Sequence, residues 1–137
     1  MAITYYASGS ILNQVLGAVG FSAPSNYYLG LSTTSVSPSG SNASEPTGVT
    51  GYARVEVPNN KTYLTYASNG SLVNASELTF LTSASAWGTV VDVFLADTSG
   101  SGTGNIWFYE PLPSPRIVQD STTISFAASA LSFSMND

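Results

Sequence analysis

The sequence contains no histidine and no cysteine, and only eleven of its 137 residues carry charge. General acids and bases are usually His, Asp or Glu, and a hydroxyl nucleophile needs a basic neighbour to activate it. An enzyme built from this set would be short of working parts, and no catalytic residue is assigned. The lack of cysteine excludes disulfide staples and is compatible with folding in a cytoplasm, so stability has to come from the core or from neighbours. The basic residues are Arg54, Lys61 and Arg116, far apart in sequence. Phosphate binding requires several cations on one face, which excludes nucleic acid as a partner. No stretch approaches the roughly 18 consecutive apolar residues of a membrane span. Residues 1–6 (MAITYY) have no positive side chain, so neither a membrane partner nor a secretory leader is expected. Four Asn-x-Ser/Thr triplets, at Asn42, Asn60, Asn69 and Asn74, follow from a chain rich in hydroxyls and imply no glycan.

What is present is 23 serines, 14 threonines, sixteen aromatics and a hydrophobic share of 43%. That share belongs to a chain that folds, and its length fits a single domain over residues 1–137 with a real core. Solubility rests on hydroxyls, Asn and a net charge of −5. A surface with few ions packs against neighbours with little desolvation penalty.

One stretch has helical spacing. Ile11, Leu12, Val15, Leu16 and Val19 recur at steps of one, three and four, giving a helix near residues 8–19. Ser8 or Ser10 would cap its start and Gly20 its end. The stripe could be a docking face; the expectation is that it covers an open face of the β core. From residue 26 the pattern is that of strands, at 26–33, 51–57, 61–66, 71–73, 78–81, 87–96, 106–112, 121–127 and 131–135. Residues 87–96 (WGTVVDVFLA) set Val91, Val93 and Leu95 against Val90, Asp92 and Phe94, as in a central strand covered on both faces. Pro111, Pro113 and Pro115 should stop residues 106–112 from continuing as an interior strand. Residues 35–50 form a long polar loop, of the kind that serves as a contact arm. The whole predicts a mostly β fold, a two-sheet antiparallel sandwich of jelly-roll type with about eight strands and one short N-terminal helix.

The candidate sites are modest. Residues 97–101 (DTSGS) alternate oxygen side chains as calcium loops do, without a second acid or a closing Glu, so a hairpin tip is expected and no metal. The glycines at 100, 102 and 104 have no following Lys or helix, so no phosphate cradle or cofactor is expected. The eight carboxylates are scattered. Asp92 alone interrupts an apolar strand; if buried it needs a cation, and Arg54 or Arg116 could supply it. Arg54 with Asp92 is the structural salt bridge expected. Exposed tyrosines could stack on sugar rings, fill the core or form subunit contacts.

Several stretches in order resemble a family of small tailed-phage virion structural proteins. They are residues 28–33 (YLGLST), Glu45-Pro46 with residues 51–57 (GYARVEV), Phe80 with residues 87–89 (WGT), residues 105–112, residues 120–126 and Ala130-Leu131. Where that family commonly has a histidine after the WGT segment, Val91-Asp92 stands here. The resemblance implies a β-sandwich in the virion without enzymatic activity. Two locations compete. A capsid decoration (cement) protein would bridge major capsid protein subunits as a homo-oligomer, with a trimer expected. A tail or tail-fibre component, or a carbohydrate-binding adhesin, would face the host. No coiled coil, β-helical repeat or collagen-like stretch is present, which sets the capsid surface ahead of the tail. The interface residues expected are Met1, Ile3, Tyr5, Tyr6, Tyr63 and Tyr66, with the loop at 35–50 as a second contact.

Overall fold

A computed structural model describes residues 1–46 and 51–135, so residues 47–50 of the expected loop lie outside the described residues. In chain order the elements are β1 (Ala2–Ile3), α1 (Tyr5–Val15), β2 (Asn26–Ser32), β3 (Val55–Pro58) and β4 (Ser71–Val73). They continue as β5 (Leu78–Thr79), β6 (Gly88–Ala96), β7 (Ile106–Val118), β8 (Ser125–Phe126) and β9 (Ser132–Ser134). The main sheet has five antiparallel strands in the order β1-β7-β6-β2-β3. Two short antiparallel ladders, β4-β9 and β5-β8, form the opposing layer. The protein is thus mostly β and sandwich-like, with one helix near its N-terminus.

The core follows from the pleat. Leu29 pairs with Leu95 and Leu31 with Val93 across β2 and β6, and all four are buried. They meet Leu78, Phe80, Ile124, Leu131 and Phe133 from the opposing layer, with Trp87 and Val118 in the same cluster. Val90 also joins this face, although the simple alternation put it opposite Val93. A register shift between Val90 and Asp92 is the reason. There two steps along β6 face five along β7, and the plain alternation of β6 does not carry through the irregularity.

Strand β7 continues six residues past the expected stop at 112, to Val118. The prolines do break the ladder, as expected of residues with no N–H to donate. Pairing with β6 is interrupted there, between Asp92↔Pro111 and Val90↔Arg116. The expected strand at 61–66 is instead a turn over 61–63, followed by a single antiparallel bridge from Leu64 to Asn74. Asn60 accepts the Thr62 N–H through Oδ1 (2.9 Å) and the Leu64 N–H through its carbonyl (3.0 Å).

The second face of the main sheet carries Phe94, Ala96 and Ile106, packed with Val36 and Tyr109. Residues 33–46 cross this face. They are tied down by Thr33 N–H to the Ser44 carbonyl (2.8 Å) and by Val36 N–H to Asp92 Oδ2 (2.9 Å).

The helix starts three residues before the expected position. Thr4 is its N-cap: buried Oγ1 accepts from Ala7 N–H (3.3 Å) and donates to the Ile106 carbonyl (2.6 Å). The serines favoured as caps instead bond back along the helix, Ser8 to the Tyr5 carbonyl and Ser10 to the Tyr6 carbonyl. The helix ends at Val15 rather than near Gly20, with Leu16 as C-cap and Ala18 left-handed at φ 56°.

Candidate functional site

The most concentrated polar chemistry in the described residues lies where the loop at 33–46, the β6–β7 hairpin and the segment entering β3 converge. Arg54 meets Glu45 two-pronged through the Nε–Nη2 edge of the guanidinium, Nε to Oε1 at 2.9 Å and Nη2 to Oε2 at 2.8 Å. Both side chains are almost wholly buried. Tyr52 Oη donates to Oε1 (2.6 Å) and the Gly102 N–H to Oε2 (2.6 Å). Arg54 Nη1 donates to the carbonyls of Thr98 (2.7 Å) and Thr103 (3.2 Å). The guanidinium lies 5.3 Å from the centre of the Phe94 ring. That ring in turn lies over Gly30, where a Cβ would stand 2.4 Å from Phe94 Cζ.

Burial alone would push the Glu45 carboxyl up. The bonds from Arg54, Tyr52 and Gly102, with the guanidinium charge, outweigh it and hold the carboxyl below its ordinary range. Burial, reinforced by the neighbouring Glu45 carboxylate, pushes the Tyr52 hydroxyl up. A pocket of about 140 Å³ adjoins the pair, lined by Asn42, Gly102 and Thr103 among others. Buried charges satisfied this fully act as a clamp rather than as reagents.

Arg54 therefore does not pair with Asp92 as expected. Asp92 and Phe94 share the second face of the sheet, and Arg54 lies over Phe94. Glu45 arrives from the loop with both oxygens open to a two-pronged contact, while Asp92 is occupied by the Val36 N–H. The hairpin 97–105 closes on itself. Asp97 accepts from Asn105 N–H (2.8 Å) and Trp107 Nε1 (3.2 Å). Burial and the Asp97 charge push the Tyr27 hydroxyl up to about 12. Among the described residues no three acidic side chains gather where they could hold a metal ion. Among the described residues no helix is long and apolar enough to cross a membrane.

The six expected interface residues do not form one patch. Met1 is buried in the core, with its ammonium donating to the Ser132 carbonyl and lying 3.6 Å from Glu110. Ile3 is half-buried in β1, paired with Phe108, and Tyr63 is half-buried against the core. Tyr66 is exposed, with Lys61 Nζ 4.9 Å from its ring centre. Tyr5 and Tyr6 open the helix; Tyr6 leans edge-on against Trp107 at 5.5 Å, and Tyr5 is 70% exposed. The stacked pair Tyr52–Phe80 belongs to the interior, so it offers no platform to a sugar ring.

The helix stripe does not cover the core, contrary to expectation. Ala7 is the buried residue of α1. Leu12, Val15, Leu16 and Val19 are 54, 69, 78 and 59% exposed. The reason is the early start at Thr4, which anchors the first turn to β7 and turns the apolar stripe outward. The spacing revealed the stripe, and only the packing fixed which way it faces.

Fold and site together define a β-rich structural protein, with its buried charges tied up inside the fold and an apolar surface turned outward. The chain belongs to the family described as Podophage GP4 fiber I protein gp80, whose sequence model matches residues 2–134. It is a phage virion structural protein of fibre type. A search of curated proteins finds no match.

Proposed function

We propose that this protein is a non-enzymatic building block of the podophage tail fibre. The observation that carries the reading is the family match over residues 2–134, which favours the fibre alternative over a capsid cement role. The fold is consistent with a load-carrying part. The Glu45–Arg54 clamp ties the surface loop, the hairpin and the sheet into one body. On this reading the partners are other fibre and tail subunits rather than the major capsid protein, and the location is the tail.

Gold-labelled antibody against the purified protein, imaged on intact particles, tests the proposal. Label confined to tail appendages is the expected outcome. Label spread over the faces of the head would overturn it and restore the cement reading.

A further inference from the structure

We infer that the outward face of α1 is a self-association surface, and that its occupant is the α1 face of a second copy of this chain. The inference concerns the isolated protein and stands apart from its location in the particle.

Among the described residues ten large apolar side chains are exposed, and six of them fall within the first nineteen positions. Tyr5, Leu12 and Leu16, at separations of seven and four, lie along one line of the helix with Val15 beside it. Buried Ala7 lies on the opposite side. Beyond the helix, Phe21 turns back, its N–H on Gln14 Oε1 (3.2 Å) and its ring 5.9 Å from that of Trp107. Ile11, Gln14, Val15, Phe21 and Ala23 then line a shallow groove of about 440 Å³ beside the stripe. The surface is thus a ridge next to a groove, the form that one helix presents to another.

Charge selects the occupant. Residues 1–44 contain no Asp, Glu, Lys or Arg, so the whole net charge of −5 arises from Glu45 onward. A partner carrying a charged patch finds no charged side chain of α1 or its flanking segments to pair with. Two copies approaching through other faces bring carboxylates together, whereas through α1 they meet apolar surface without like-charge opposition. Size agrees. The exposed parts of Tyr5, Leu12, Val15, Leu16 and Val19 amount to roughly 600–700 Å², close to the roughly 800 Å² that each partner buries in a standard stable interface. A patch of that size on a monomer is itself unusual.

The test is sedimentation velocity on the purified chain from micromolar to hundred-micromolar concentration, with the paired variant Leu12→Asp/Leu16→Asp. Both positions are exposed, so melting temperature should stay near that of wild type. Wild type should sediment as an oligomer, and the variant should associate roughly a hundredfold more weakly. Ile117→Asp, an exposed apolar site elsewhere, should leave association intact. The chain has no native cysteine, so Leu16→Cys offers a clean second readout: oxidation should link two copies through α1. A wild type that stays monomeric throughout would overturn the inference, as would an oligomer that ignores the paired variant and gives no Leu16→Cys link. A monomeric wild type whose paired variant fails to enter particles would assign the face to a different virion protein, which also overturns it.

Discussion

At the scale of single residues, the decisive pair is Glu45 with Arg54. Removing one member leaves the other charged and buried, so Arg54→Met should destabilise the fold by about 3–5 kcal/mol. Arg54→Met with Glu45→Leu should recover most of that loss; both are read by urea denaturation. The pH dependence follows from the same pair. The folded state holds the Glu45 carboxyl below its usual range, while unfolding returns it to about 4.3. Its contribution is therefore complete above that unfolded value and is lost as pH falls through the lower, folded one. Melting temperature should decline below about pH 4, and Glu45→Gln should show a lower plateau with a shallower acid limb. Gly30 is a second fixed point, because Phe94 occupies the space of its missing side chain. Gly30→Ala should cost about 1–3 kcal/mol by forcing that ring off Arg54. The sequence made Arg54 stand out as a cation that would be buried and structural. It could not name the acid, because Glu45 reaches Arg54 only once its loop is folded across the sheet.

At the scale of elements, strands were legible wherever alternation was strong, as at β2 and β6. They were misjudged where a local device overrode the pattern. The irregularity at Val90/Asp92 changed which residues of β6 enter the core, and β7 resumes its pairing at Arg116 beyond the break that its prolines make. Neither is visible in hydrophobic spacing, since both depend on which strand lies alongside. The helix cap is similar. Thr4 precedes the apolar stripe by seven residues, and it acts as the cap because the Ile106 carbonyl of β7 holds its hydroxyl in place. Thr4→Val keeps the shape and removes both bonds, and should lower stability by about 1–2 kcal/mol in chemical denaturation. Loss of helical signal in circular dichroism should accompany it, since the first turn is where α1 is anchored.

At the scale of the whole molecule, the small charge is unevenly placed, and that shapes how copies can meet. Association through α1 should hold or strengthen as salt rises from about 0.05 to 0.5 M, because an apolar contact lacks ionic bonds to screen and the carboxylates elsewhere are screened. Sedimentation across that range checks it; weakening with salt would mark an ionic contact instead. The sequence by itself determined the fold class, the presence of one amphipathic helix and the virion character of the chain. The first two follow from periodicity and composition, which are local or additive along the chain, and the third from the resemblance of its ordered motifs to a phage family. Tertiary structure alone decided that Glu45 rather than Asp92 takes Arg54, that Met1 is core, and that the helix stripe looks outward. Each of these depends on what lies opposite a residue once the sheet has closed, and burial of one face of α1 says nothing until the first turn is pinned to β7.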